Sequence, residues 1–456
     1  MNATAVVDNL KQHFGLDPAT SKVLVVGLGI TGLSVAYFFQ TLEIRFAITD
    51  SREKPPLMTE FLQQFPDAAL FAGGFDDSAF SVATHLVISP GVALNEKAIV
   101  KALAGGAKLI SDIDLFACAV DAPVLAITGS NGKSTVTTMV GKMAQAAGKK
   151  VAMGGNLGTP ALNLLQEGAE LYVLELSSFQ LERTSVFKAL AATVLNLSPD
   201  HMDRHPDMDA YAREKARIFQ GGGVMVLNAD DPRVVAMRDP ARTTLTFSIK
   251  CPADFHVKRL NGGEYLMQGD NALMPLAELP LEGRHNVANA LAALALGFAA
   301  GLEASAMCKA LKRFKGLAHR MQKVAETKGI TWINDSKATN IGACVAALQG
   351  YDNKVILIAG GDAKGADMHE LVPAVIAKAK HVILMGKDAS SIAEALAEQV
   401  SVEFAGDMAD AVQKAAKIAR PGDNVLLSPA CASLDQYRNY QERGDKFTKA
   451  VLELAL

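Results

Sequence analysis

Short apolar runs alternate with amphipathic stretches along almost the whole chain. The runs Lys22–Val26, Ile44–Ile48, Pro123–Ile127, Tyr172–Leu176, Ala192–Leu197 and Val224–Asn228 are rich in Val, Leu and Ile and end at Gly, Asp, Asn or Ser. Runs without polar alternation are strands buried on both faces, and the stretches between them have helical spacing. Strand and helix in alternation predict parallel sheets covered by helices. After residue 243 the texture changes. Thr244–Ile249, Phe255–Arg259 and Glu264–Gln268, with a turn at Asn261–Gly263, predict a small antiparallel appendage. Helices Asn286–Ala300 and Ala304–Phe314 close that region, and strands near Thr331–Asn334, Lys354–Ala359, His381–Met385 and Asn424–Leu427 follow. The expected fold is α/β in three domains. Residues 1–111 form a Rossmann-like domain, 112–316 a central α/β domain with the appendage, and 317–456 a second Rossmann-like α/β domain.

Composition narrows the class. A chain of 456 residues suits several domains, and 50% hydrophobic with 20% charged residues is ordinary for a soluble globular protein. A net charge of −3 leaves no electrostatic footprint for nucleic acid or an anionic membrane, so neither is expected as a partner. The five cysteines are scattered and odd in number, which points to reduced thiols in a cytoplasmic protein. The apolar run Val287–Ala300 is too short to span a bilayer and reads as a buried helix.

The segment Ala126-Ile-Thr-Gly-Ser-Asn-Gly-Lys-Ser-Thr135 carries the strongest chemistry. A strand runs into a small-residue loop ending in Gly132-Lys133-Ser134, and a helix opens at about Thr135. Loop N–H groups and the helix start favour phosphate oxygens, lysine neutralises them, and the serine hydroxyl suits Mg²⁺. The loop is shorter than the common spelling, with Ile127 where a glycine is usual. Glu175 ends a strand beside this loop, as a metal-holding acid would. The stretch Asn196-Leu-Ser-Pro-Asp-His-Met-Asp-Arg-His205 places two histidines four apart, but Pro199 and Pro206 argue against the regular helix a zinc pair needs. His201 is the candidate metal ligand or proton acceptor, and His205 is structural. Lys215 sits among Arg213, Glu214 and Arg217, a pattern that by itself reads as a solvated helix face. Asn286 and Asn289 stand where they could read an adenine edge, although Asn286 could equally be a helix cap. Arg320 is placed to reach nucleotide phosphates. Three turns follow strands of the third region: Asn334–Asn340, Gly360–Asp367 and Ser428–Tyr437. They should meet at one edge of a sheet, where lysines and hydroxyls suit a small dianion. The first region carries Gly27-Leu-Gly-Ile-Thr-Gly32 and then Asp50, which alone suggests NAD.

These residues together resemble the Mur ligases. The likeness lies in the loop Thr128–Ser134, Glu175, the stretch Asp200–His205, Lys215 and His319-Arg320. Two further motifs, 334–340 and 428–437, are similar to those of the D-glutamate-adding member. The resemblance implies ATP-dependent formation of an amide between UDP-N-acetylmuramoyl-L-alanine and D-glutamate, through an acyl phosphate, by a cytoplasmic monomer. It implies ATP held by Gly129, Asn131, Gly132, Lys133, Ser134, Thr135, Asn286, Asn289, Arg320 and Asp335. It implies two Mg²⁺ ions, one on Ser134 and Glu175, the other on His201 and a carbamylated Lys215. Lys133, His201 and Lys215 become the catalytic set. The first domain then takes the uridine nucleotide rather than NAD, through Gly27, Gly29, Thr31, Gly32, Ser51 and Arg52, with Asn156 toward the sugar-peptide. Lys337, Thr339, Lys364 and Ser433 are implied for the amino acid.

Three rivals compete: an NAD-linked oxidoreductase, a sister ligase such as a folylpolyglutamate synthetase or another Mur ligase, and an idle nucleotide-binding regulator. The first leaves the phosphate loop and Glu175 without a role. The second shares the central engine and differs in its end domains. The third has no use for a full set of metal-ligand residues.

Overall fold

The computed structural model describes residues 2–454 apart from 157, 166–167, 203, 261 and 282. Asp203 of the histidine-bearing stretch and Asn261 of the appendage turn therefore lie outside the described residues. Three sheets follow one another along the chain. The first holds β1 (Val23–Val26), β2 (Phe46–Asp50), β3 (Leu70–Ala72), β4 (His85–Ile88) and β5 (Lys108–Ile110), all parallel, in the order β3-β2-β1-β4-β5. The strand order reverses between β1 and β4, and crevices form outside the carboxyl ends at such a point.

The central sheet holds β6 (Val124–Thr128), β7 (Val151–Gly155), β8 (Leu171–Glu175), β9 (Ala191–Val194), β10 (Val224–Asn228), β11 (Thr244–Ser248), β12 (Phe255–Leu260), β13 (Gly263–Gln268) and β14 (Asn271–Pro275). Its order is β14-β13-β12-β11-β10-β9-β6-β8-β7. The antiparallel appendage is present as β12–β14, and it extends the central sheet instead of standing apart. The sequence reading placed Thr244–Ser248 in that appendage, but β11 runs parallel to both β10 and β12. A β-rich run has no directional signal of its own; the connections around it decide.

The third sheet holds β15 (Gln322–Thr327), β16 (Ile330–Asn334), β17 (Val355–Ala359), β18 (Ala379–Leu384), β19 (Ser401–Phe404) and β20 (Asn424–Leu427), in the order β15-β16-β20-β17-β18-β19. Only β15 is antiparallel. The three strands that precede the candidate turns, β16, β20 and β17, are immediate neighbours, so the turns do emerge side by side.

The core is divided unequally. One apolar cluster runs from Val25, Phe39 and Ile48 under the first sheet to Phe116, Leu174 and Val194 in the central one. The third sheet keeps its own clusters on its two faces, around Leu357 and Val382 and around Trp332 and Phe447. Among the described residues, no helix is long and apolar enough to cross a membrane.

Candidate functional site

The phosphate loop is built by β6 and the helix Lys133–Ala146. Gly132, at φ 86°, has no room for a side chain: a Cβ there would stand 2.4 Å from Asn289 Oδ1. A neighbouring turn braces the loop. Asn131 N–H donates to Asn196 Oδ1 (2.9 Å), and Ser130 Oγ donates to Ser198 O (2.9 Å). Lys133 folds over its own loop and donates to Gly129 O (2.8 Å) and Ser130 O (2.9 Å). Burial holds its pKa below the usual lysine value, against the pull of Glu175 and Asp200.

Glu175 pairs in register with Ile127 at the end of β8, so the sheet itself sets the acid beside the loop. Its Oε1 accepts from Asn156 Nδ2 (2.8 Å), and its Oε2 is buried with no hydrogen-bond partner. Burial pushes this carboxyl up, but Lys133 and its neighbours outweigh that and keep it ionised below its ordinary pKa. An orphaned, ionised carboxylate oxygen beside a phosphate-loop serine is the donor chemistry of a Mg²⁺ site.

Lys215 overturns the solvated-face reading. It is 1% exposed and donates to Gly129 O (2.9 Å) and Thr128 Oγ1 (3.3 Å). Burial, then the charge of Lys133, lowers its pKa well below the usual value, so this amine is readily neutral. His201 is held at φ 58°, which agrees with the absence of a regular helix there, and its ring meets Phe179 edge-on at 4.9 Å. Burial lowers its pKa to about 4, leaving a neutral imidazole. His205 instead stacks on Phe179 and bonds Ser178 Oγ (3.1 Å), as a structural residue would. Among the described residues no group of three or more His, Cys, Asp or Glu is placed to hold a metal.

The third domain closes one wall. Arg320 Nη2 donates to Ser134 Oγ (2.8 Å). Asn340 Nδ2 donates to Asp200 Oδ2 (3.1 Å) and to Asn131 Oδ1 (3.3 Å), and Lys364 Nζ lies 3.5 Å from Asp200 Oδ1. Asp200 and Asn340 were not singled out in the sequence. Asp200 directly precedes His201, so adjacency was the available signal; Asn340 reads simply as the cap of the helix Ile341–Gln349, a role it also fills.

Two adjoining clefts result. In one, Asn131, Gly132, Thr135, Asn286, Asn289 and Arg320 line the wall together with Asp335. Asn286 is inside the helix Arg284–Ala299, whose cap position is Gly283, so the capping alternative falls away. Asp335 is buried, accepts from Ser428 Oγ (3.0 Å) and Met321 N–H (3.2 Å), and is pushed up to about 7 by burial. The other cleft brings Lys133, Glu175, His201, Lys215, Lys337 and Thr339 together. Lys337 lies over the Tyr440 ring at 4.0 Å, and burial lowers its pKa to about 8. Ser433 is buried on the turn after β20 and does not line either cleft.

A third cleft lies at the first sheet's switch point. Gly27, Gly29, Thr31, Ser51, Arg52 and Asn156 line it, and Asn156 also lines the Lys133 cleft, so the two spaces meet there. Gly32 does not face this space. A Cβ on it would stand 2.0 Å from Gly27 O, so its place is the close packing of helix on loop. Asp50 is fully engaged: Arg52 grips both of its oxygens (2.8 and 2.7 Å), and Leu28 N–H donates to Oδ2 (2.7 Å). The acid that suggested a ribose contact therefore serves the protein's own loop, which removes the basis of the NAD reading.

Known proteins bear on this geometry. Residues 21–111 match the sequence profile described as Mur ligase MurD-like, N-terminal domain. Residues 127–297 match the Mur ligase middle domain, and 319–431 the Mur ligase, glutamate ligase domain. The UDP-N-acetylmuramoylalanine--D-glutamate ligase of Methylococcus capsulatus is 52% identical, covering 97% of both chains. That of Nitrosococcus oceani is 51% identical, covering 96% of this chain and 97% of its own. Among solved structures, a pseudomurein peptide ligase type C from Methanothermus fervidus aligns with a TM-score of 0.65 at 20% identity, over 95% of this chain and 100% of its own. MurF from Acinetobacter baumannii aligns at 0.60 and 16% identity, over 97% and 98%. The two structures share the fold.

Proposed function

The chain belongs to the Mur ligase family, and from that premise we propose that the first-domain cleft holds UDP-N-acetylmuramoyl-L-alanine, the cleft lined by Asn286, Asn289 and Arg320 holds ATP, and the Lys133 cleft receives D-glutamate. It is an ATP-dependent ligase that adds D-glutamate to the UDP-linked acceptor in peptidoglycan synthesis. We place it in the cytoplasm as a monomer, with no nucleic acid or membrane partner and domain boundaries at 111/112 and 316/317.

The observation that carries the site reading is the convergence of Lys133, Arg320 and Lys337, with the buried Lys215 amine beside them, on a cleft floored by the phosphate loop. A carboxylate must approach a polyanion there, and like charges repel. Ser134 and Glu175 would hold one Mg²⁺; His201 and a carbamylated Lys215 would hold the other. These ions, when bound, neutralise the triphosphate. Lys215 suits carbamylation because its neutral amine attacks CO₂, a nitrogen–carbon bond forms, the amine proton leaves, and an anionic oxygen ligand results. Asn286, Asn289, Arg320 and Asp335 orient ATP, while Gly129, Asn131, Gly132 and Thr135 shape the phosphate cradle. The acceptor's carboxylate takes the γ-phosphoryl group as ADP leaves. Glutamate, held through its carboxylates by Lys337, Thr339 and Lys364, attacks the acyl phosphate with its amine, and phosphate departs as the amide forms. His201, neutral and facing this space, steers or accepts the amine's proton. Positioning and charge neutralisation supply most of the acceleration.

A phosphate-release assay tests this. Wild-type protein with ATP and UDP-N-acetylmuramoyl-L-alanine should release phosphate with D-glutamate, and not with L-glutamate or meso-diaminopimelate. Equal release with all three amino acids, or none with D-glutamate, refutes the assignment.

A further inference from the structure

Arg183 lies outside the phosphate loop, the metal set and every cleft described above, yet its side chain is fully buried. It follows the short helix Ser178–Leu181, which begins three residues after Glu175, so it belongs to the central domain. Its guanidinium points the other way, into the first domain. Nη1 donates to Ser89 O (2.7 Å) and Ile88 O (3.3 Å), and Nη2 donates to Val92 O (3.2 Å). Among the described residues, the acid bonded to it is its neighbour Glu182, at 3.2 Å from Nη2.

The gripped turn matters because its other side lines the first-domain cleft: Ser89, Pro90, Gly91 and Val92 all face that space. Ser89 Oγ also donates to Gly27 O (3.0 Å), which ties the turn to the glycine loop across the mouth. Beyond Ser89 N–H, which donates to Val26 O (2.9 Å), the turn has no ladder to fix it. One rigid planar fork gripping Ser89 O and Val92 O, together with Ile88 O at the end of β4, therefore helps set where this turn sits. Gln180, three residues before Arg183, lines the same cleft. One segment leaving the β8 carboxyl end thus carries both a wall residue and the clamp for the opposite wall.

We propose that Arg183 is a positioning residue for the nucleotide-sugar substrate, fixing the Ser89–Val92 wall of the first-domain cleft against the central domain. The proposal rests on the reading of that cleft as the UDP-substrate site. Arg183 touches no reacting atom, so its loss should change substrate affinity and leave the chemistry alone.

The test is steady-state kinetics on the full chain, varying each substrate in turn, for Arg183→Met and Arg183→Lys. With several charge-assisted bonds to the turn gone, KM for UDP-N-acetylmuramoyl-L-alanine should rise about tenfold in Arg183→Met. KM for ATP and D-glutamate, and kcat, should stay within about twofold. Arg183→Lys, which keeps the charge but not the fork, should fall between wild type and Arg183→Met. An unchanged KM for the UDP-substrate, or an equal rise in all three KM values, overturns the proposal. If Arg183→Met does not fold, Arg183→Lys decides by the same criterion. Wild-type protein that ignores the UDP-substrate would refute the reading of the cleft, whereas an active wild type with insensitive variants refutes only the role of Arg183.

Discussion

At the scale of single residues, burial sets the state of the site's bases, whereas neighbouring charge sets that of Glu175. Lys215, Lys337 and His201 are all pushed toward their neutral forms chiefly by desolvation, although Asp200 pulls all three the other way and Glu175 pulls the two lysines. Lys133→Ala should lower kcat by about 10²–10³, the usual loss when one preorganised electrostatic group is removed; a variant within tenfold of wild type in the phosphate-release assay would contradict its phosphate role. Lys215→Ala should fold and be nearly inactive, and a small added carboxylate should restore part of the activity. Rescue by an added amine instead would exclude the carbamate. Asp335 makes a pH prediction. Its carboxyl is raised from 3.8 to about 7, so between those values the folded protein holds a proton that the unfolded chain releases. Stability therefore falls as pH rises through that window, by up to about 1.4 kcal/mol per unit. Asp335→Asn should flatten this slope and gain most over wild type at pH 8. Trp332 is the single tryptophan and is buried in the third domain, so its fluorescence in urea reports the comparison directly.

At the scale of elements, the candidate turns gain their precision from one another. Arg443, on the helix Tyr440–Glu453, is 2% exposed and bonds to all three. Its Nη2 donates to Ser336 O (2.9 Å) and Cys431 O (3.1 Å), and its Nη1 reaches Ala432 O (3.2 Å) and Gly360 O (3.5 Å). Arg443→Met should leave buried carbonyls unpaired and destabilise the third domain by about 2–4 kcal/mol, with KM for D-glutamate rising more than KM for the UDP-substrate. Trp332 fluorescence and steady-state kinetics check the two halves. Parallel strands and their order of helices were legible in the sequence because period and burial go together. The direction of β11 was not, and neither were the strands β3, β4, β5, β7, β14, β15 and β19, whose runs of three to six residues are too short or too mixed to stand out by pattern alone.

At the scale of the whole molecule, the first and central sheets share an apolar core, whereas the third domain meets the phosphate loop through polar contacts from Arg320, Asn340 and Lys364. Polar, water-competing contacts are the ones that open and close with ligands. Adding an ATP analogue and UDP-substrate should therefore shift small-angle scattering toward a more compact third domain; curves that superimpose with and without ligands would contradict closure.

What the sequence alone determined was the chemistry available and its local setting. The loop Gly129–Ser134, Glu175 at a strand end and the three late turns are short-range patterns, and short-range patterns survive in one dimension. Tertiary structure decided the rest. Lys215 looked solvated because its sequence neighbours are charged, and only the fold buries it under the phosphate loop. Asp50 looked free for a ribose until Arg52 and Leu28 were seen to occupy it. Arg183 and Arg443 carried no signal at all, since their partners are backbone carbonyls, which every residue possesses. Burial and carbonyl contacts depend on distances between segments far apart along the chain, and the order of residues does not encode those distances locally.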